Sequence, residues 1–124
     1  MNLSFSTASK YRNKKVELDG HIFDSRKEAA VYAELKACQK TGEIDKFEMQ
    51  KRYELIPAQY AMKDVNGKQR RTCVERAITY LADFVVYYPD GEISVIDAKG
   101  MKTDIYRIKR KLMLMVHGLA IKEV

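Results

Sequence analysis

Apolar positions change their spacing several times along the chain, and the changes outline its elements. Val16-Glu17-Leu18 and His21-Ile22-Phe23 flank Asp19-Gly20, a strong tight-turn pair, so a short hairpin is expected. Asp24-Ser25 then opens a helix, with an N-cap residue before helix-forming residues up to about Lys40 and a stop at Thr41-Gly42. Its apolar stripe is Val31, Tyr32, Leu35 and Cys38. Strand-like stretches follow around residues 47–56 and 73–88. Residues 57–71 between them read as an excursion, a ribbon turning at Asn66-Gly67 and carrying Lys63, Lys68, Arg70 and Arg71. A third strand is expected over 92–99 and a second helix over about 104–117. In that helix Ile105, Ile108, Leu112 and Met115 recur at helical spacing and are expected to face the sheet. Gly118 ends it, and 119–124 forms a last short strand.

The expected order is helix, three antiparallel strands, helix, strand, with a small hairpin in front. This is an α/β fold with a mixed sheet flanked by two helices. Strands in a run, rather than in strict alternation with helices, argue against a doubly wound parallel fold.

With 124 residues, the chain fits one domain over 10–124, with 1–9 as a loose tail and an insertion at about 57–75. No apolar stretch approaches the roughly 20 residues that span a bilayer, and the start lacks the apolar core of a secretory signal. A soluble intracellular protein is the expectation, with no membrane partner. Cys38 and Cys73 are too few for a disulfide framework and too far apart for a zinc motif, so they read as ordinary reduced residues. His21 and His117 have no metal-ligand spacing either. The net charge of +6 favours polyanionic partners through phosphate contact and counterion release.

The most informative stretch runs from Tyr80 to Gly100. Pro89-Asp90-Gly91 suits a three-residue hairpin loop, with Gly at the left-handed position. Tyr88 then faces Glu92, Tyr87 faces Ile93, Val85 faces Val95, and Asp83 faces Asp97. Because strand side chains alternate, Asp83, Asp97 and Lys99 are expected on one face. Directly opposed Cβ atoms lie about 4.5–5.5 Å apart, where two carboxylates repel. A bound divalent cation resolves that repulsion, since hard cations take oxygen ligands. The competing reading is two solvated acids at strand ends. A two-residue loop at Asp90-Gly91 would instead put the aspartates on opposite faces.

Glu28 has two readings. Ser25-Arg26-Lys27-Glu28 matches a capping box. Positions 28, 31, 32 and 35 also share a helix face, which points Glu28 toward the sheet edge as a third acid. Phosphodiester hydrolysis asks for these residue types. Carboxylate-held Mg²⁺ activates water and offsets phosphoryl charge, and a nearby lysine assists. No Ser/His/Asp set, Gly-rich phosphate loop or His-rich motif competes.

Asp83, a 13-residue gap and Asp97-Ala98-Lys99 together resemble the PD-(D/E)XK nuclease pattern, with Asp97 in the (D/E) place and Glu28 as the helix acid. The wider string resembles a family of small phage and prophage proteins long catalogued as a domain of unknown function. The segments that carry the likeness are Lys10-Tyr11-Arg12-Asn13-Lys14-Lys15, Phe23-Asp24-Ser25-Arg26-Lys27-Glu28-Ala29, Arg76-Ala77-Ile78-Thr79-Tyr80-Leu81-Ala82-Asp83-Phe84 and Asp97-Ala98-Lys99-Gly100. The resemblance implies the αβββαβ core of restriction-endonuclease-like enzymes, a Mg²⁺ requirement that Mn²⁺ can meet, and a homodimer in the cytoplasm of a bacterial host. It implies Glu28, Asp83, Asp97 and Lys99 as the catalytic set, the three acids holding metal. More loosely, the chain resembles resolvases that cut Holliday junctions. Ala82 stands where the pattern's name has Pro, and the 57–75 insertion is not explained by the motif.

Basic residues expected on DNA are Lys14, Lys15, Lys68, Arg70, Arg71, Lys102, Lys109 and Lys111. The second helix also carries Arg107 and Arg110, and a solvated helix face is the alternative there. Tyr106 is expected to pack, and Gln50 is an accessory candidate for orienting a water. The function expected is a metal-dependent endodeoxyribonuclease, with structure selectivity on branched DNA as the finer expectation. The alternative is a basic DNA-binding module without catalysis.

Overall fold

The computed structural model describes residues 14–98 and 102–124. The expected tail, the start of the N-terminal basic run and Lys99 lie outside the described residues.

Strands β1 (Val16–Leu18) and β2 (His21–Phe23) form the hairpin around Asp19-Gly20. Both turn residues have positive φ (53° and 79°), the conformation that a tight Asp-Gly turn needs. Helix α1 (Arg26–Thr41) starts where the Ser25 side chain accepts from the Glu28 backbone N–H at 3.1 Å. It ends at Gly42, whose φ of 85° supplies the left-handed cap.

The main sheet has the order β3-β6-β7-β8: β3 (Lys46–Ile56), β6 (Ile78–Tyr87), β7 (Ile93–Asp97) and β8 (Ile121–Glu123). The first three are antiparallel, and β8 joins β7 in parallel, so the sheet is mixed. Between β3 and β6 the chain leaves the sheet as a separate ribbon, β4 (Gln59–Val65) and β5 (Lys68–Glu75). The strand expected over 73–88 is therefore two strands, because residues 73–75 pair within the ribbon.

Helices cover opposite faces of the sheet. On one face, Ala29, Tyr32 and Leu35 of α1 pack with Phe23, Ile44, Phe84, Val86 and Ile96, and Val31 and Cys38 add partly buried contacts. Tyr32 sits between Phe23 and Phe47 at ring separations of 5.1 and 5.7 Å. On the other face, α2 (Asp104–Leu112) runs into a π-helical turn (Met113–His117) whose fully buried Met113 packs with Leu55, Tyr80, Ala82, Val85 and Val95.

The expected sheet-facing stripe of α2 is corrected here. Ile105, Ile108 and Met115 are 67%, 58% and 74% exposed, and of the expected stripe Leu112 alone packs against the core. The face that packs carries Tyr106, Arg110 and Met113, which are also helically spaced. Two contacts to β8 select it: the Tyr106 hydroxyl donates to Glu123 at 2.6 Å, and Arg110 donates to the same carboxylate at 3.1 Å.

Candidate active site

The hairpin of β6 and β7 has the expected register: Tyr87 pairs with Ile93, Val85 with Val95 and Phe84 with Ile96. Its loop closes as the residue types require. The Tyr88 N–H donates to the Glu92 carbonyl and the Gly91 N–H to the Tyr88 carbonyl, both at 2.9 Å. Gly91 holds a φ of 91°, which the Pro-Asp-Gly loop needs at that step. Asp83 and Asp97 are the next positions along this register.

Side-chain alternation, however, stops at Asp83. Phe84 and Val86 pack with the α1 cluster, whereas Ala82 and Tyr80, an even number of residues away, pack with the α2 cluster. Strand β3 changes face at the matching point. Glu48 and Lys51 reach the same Tyr87 hydroxyl, although odd spacing in a regular strand would separate them. Between them stands Gln50, opposite Asp83, with a φ of 55°. A left-handed conformation costs a residue with a Cβ about 1–2 kcal/mol. Where period-2 alternation breaks, two donors among the described residues hold the Asp83 carboxylate. The Gln50 side-chain amide reaches one carboxylate oxygen at 3.3 Å, and the Ala98 N–H reaches the other at 2.9 Å.

Asp97 ends β7, where the buried Tyr80 hydroxyl donates to it at 2.8 Å. Burial, then the hydrogen bond to Asp97, push the Tyr80 phenol far above its ordinary range, so it stays protonated as a donor. Parallel pairing sets Glu123 beside Asp97, and the Val124 N–H donates to the Asp97 carbonyl at 3.1 Å. Tyr106 first, then Lys102 and Arg110, hold the Glu123 carboxyl down at about 2.

Glu28, Asp83 and Asp97 are 7%, 0% and 3% exposed, and they are the buried charged residues among those described. All three have interaction partners. Burying a carboxylate costs several kcal/mol unless it is paired and hydrogen-bonded, so three in so small a chain form an expensive set. The structure brings Asp83, Asp97 and Gln50 together. It places Glu28 in the first turn of α1, on the face that packs on the sheet. The Glu28 backbone N–H serves the Ser25 cap, and the Glu28 side chain is buried and has a partner of its own.

For a divalent cation, the donor types fit: buried carboxylate oxygens suit hard ions such as Mg²⁺. A carboxylate carries about four acceptor sites, so a protein donor and a metal can share one group. Among the described residues, no three acidic, histidine or cysteine side chains already converge at metal-binding spacing. Neither Cys38 nor Cys73 is in a disulfide, and the His117 ring contacts the Glu54 carbonyl at 2.7 Å.

The basic candidates divide. Lys14 is exposed, and Lys15 forms an exposed ion pair with Asp24 at 3.2 Å. Lys102 pairs with Glu123 at 3.3 Å, and Arg107 pairs with Asp104 at 3.1 Å, so part of the α2 charge is spent within the fold. Lys109 and Lys111 have no acidic partner among the described residues. Lys68 and Arg70 lie on one face of the ribbon. Arg71 lies on the other, with its guanidinium 3.8 Å from the centre of the Tyr60 ring. Sequence reasoning missed Tyr80, whose only signal was a polar-tipped aromatic three residues before Asp83 in the same strand. It also missed Glu123, whose importance depends on the parallel pairing of β8.

No described helix is long and apolar enough to cross a membrane. A family model described as a protein of unknown function (DUF1064) matches residues 8–120. No curated protein matches the chain, and no solved structure does.

Proposed function

The chain belongs to the DUF1064 family, and for it we propose a metal-dependent endodeoxyribonuclease of the PD-(D/E)XK type. The observation that carries this reading is the burial of the same three acids that the motif selects, Glu28, Asp83 and Asp97. Asp83 and Asp97 hold the cation, Mg²⁺ or Mn²⁺, and Glu28 completes the acidic set. Bound there, the cation supplies Lewis-acid stabilisation of phosphoryl charge and a more acidic water. Gln50 and the Ala98 N–H fix the Asp83 carboxylate, and Tyr80 fixes Asp97. Such buried support keeps acceptor oxygens aimed, as catalytic preorganisation requires. Lys99, two residues after Asp97, offsets charge on the scissile phosphate.

Branched DNA is the substrate we favour, cut by a homodimer, because resolving a four-way junction takes two symmetric nicks and a C2 pair supplies them. The test is incubation with supercoiled plasmid and with a four-way junction in Mg²⁺, in Mn²⁺ and in EDTA. Cleavage should need the metal and disappear in Asp97→Asn. Sedimentation with and without junction DNA tests the dimer. The second reading, a basic DNA-binding module, draws on the lack of a preformed three-ligand cluster among the described residues. DNA binding with no cleavage under any metal condition would select it.

A further inference from the structure

The ribbon of β4 and β5 contributes no residue to either core cluster, and its residues other than Thr72 are exposed. Two-stranded hairpins are marginal in water, so an arm of this kind gains from a surface to lie on. Its turn, Asn66-Gly67, has φ values of 52° and 79°, the mirror-turn geometry that keeps both strands twisted together to the tip.

The register divides its charge. Lys63 is opposite Arg70, and Val65 is opposite Lys68. These residues share one face with Ala61 and Thr72, a face without an acid. Like charges directly opposite each other destabilise a strand pair. Among the described residues, none of Lys63, Lys68 and Arg70 has an acidic partner. A marginal ribbon that sets cations against each other is arranged for a polyanion.

We propose that this face docks on duplex DNA, with the ribbon lying in the major groove and Lys63, Lys68 and Arg70 on the flanking phosphates. The shape fits. The major groove, about 12 Å wide, admits a two-stranded ribbon. The seven residues of β4, at about 3.3 Å each, reach roughly 23 Å along it. The proposal rests on the DNA reading above for its ligand but not on cleavage.

The test measures binding of the full chain to a short DNA duplex by fluorescence anisotropy in EDTA, across a salt series. Each phosphate contact contributes about 0.9 to the slope of log affinity against log salt. Lys63→Gln/Lys68→Gln/Arg70→Gln should therefore lower the slope by about 2–3. A charge-matched control away from the ribbon, Lys36→Gln/Lys40→Gln/Lys122→Gln, should lower it far less. Should the triple ribbon variant melt below wild type, Lys63→Gln and Arg70→Gln singly carry the test, each with a loss of about 0.9. An unchanged slope, an equal loss in the control, absence of duplex binding, or a loss confined to single strands or to an acidic protein overturns the proposal. A chain that binds duplex through the ribbon but never nicks plasmid in Mg²⁺ keeps this inference and removes the nuclease reading.

Discussion

Replacing Asp83 in two ways separates its charge from its hydrogen bonds. In Asp83→Asn one oxygen can still accept from the Ala98 N–H, now 2.9 Å away. The new amide N–H can donate to Gln50 once the Gln50 amide turns over, because amide O and N are interchangeable by rotation. The fold loses the difference between charge-assisted and neutral hydrogen bonds, about 1 kcal/mol each. Relief of repulsion from Asp97 offsets part of that loss. Asp83→Ala instead leaves the buried Ala98 N–H without its carboxylate, which costs about 1–3 kcal/mol. In a domain of this size 1 kcal/mol moves the thermal midpoint by roughly 4 °C.

The two variants should thus differ in stability but not in chemistry. Thermal unfolding without metal should put Asp83→Asn within a few degrees of wild type and Asp83→Ala roughly 4–12 °C lower. Neither should nick plasmid in Mg²⁺. Added Mg²⁺ should raise the midpoint of wild type and leave Asp83→Asn unmoved, since a ligand stabilises only the state that binds it. Full activity in Asp83→Asn would refute the metal assignment. Equal midpoints for the two variants would refute the account of what holds Asp83.

Four further outcomes follow from named contacts. Glu28→Gln should cut turnover sharply at nearly unchanged stability, while Ser25→Ala should cost about 1 kcal/mol with cleavage retained, as plasmid nicking and urea unfolding will show. Met113→Ala should cost about 2–5 kcal/mol, whereas Ile108→Ser should stay within about 0.5 kcal/mol; the reverse order in denaturant midpoints would restore the outward stripe to the core. Glu123 has a folded pKa of about 2, below its ordinary 4.5, so its contribution is present above about pH 4.5 and is lost as pH falls toward 2. Across that window wild type should lose more thermal stability than Glu123→Gln, and parallel melting curves would count against the Tyr106–Lys102–Arg110 arrangement. Gln50→Gly relieves the left-handed strain but frees Asp83, so it should raise the Mg²⁺ concentration needed for half-maximal nicking while changing stability by about 1 kcal/mol or less.

The parts of this fold that are legible in the sequence are those that local chemistry determines. Pro89-Asp90-Gly91 fixes a loop, the loop fixes the register, and the register carries Asp83 and Asp97 to the positions just past the Phe84–Ile96 pair. Ser25 and Gly42 bound α1 for reasons contained within a few residues. The orientation of α2 is different in kind. Its sequence offers two helical stripes, and the choice belongs to Glu123, which lies beyond the helix on a strand that pairs only after folding. Likewise, Cys73-Val74-Glu75 continues smoothly into the β6 pattern, and only pairing with Gln59 and Tyr60 assigns it to the ribbon.

Least legible is Gln50, because glutamine gives no sign of a positive φ; asparagine, aspartate and glycine are the residues that do. The strain there is not needed to turn a corner, since β3 and β6 keep one register from Lys46 opposite Tyr87 to Glu54 opposite Thr79. Its effect is to change which face the two strands present, and to do so at the rung that holds Asp83. An ordinary strand would have sent Asp83 into line with its neighbours. Here the twist lets the carboxylate meet both an amide from β3 and the backbone beyond β7. Strained backbone persists only where the surroundings over-determine it, and such positions cluster at working sites. Three buried acids and a strained residue opposite one of them both oppose stability. Two of these costs meet at a single contact, where the strained Gln50 holds the buried Asp83 carboxylate, so the strain serves to aim one acid rather than to set the path of the strands.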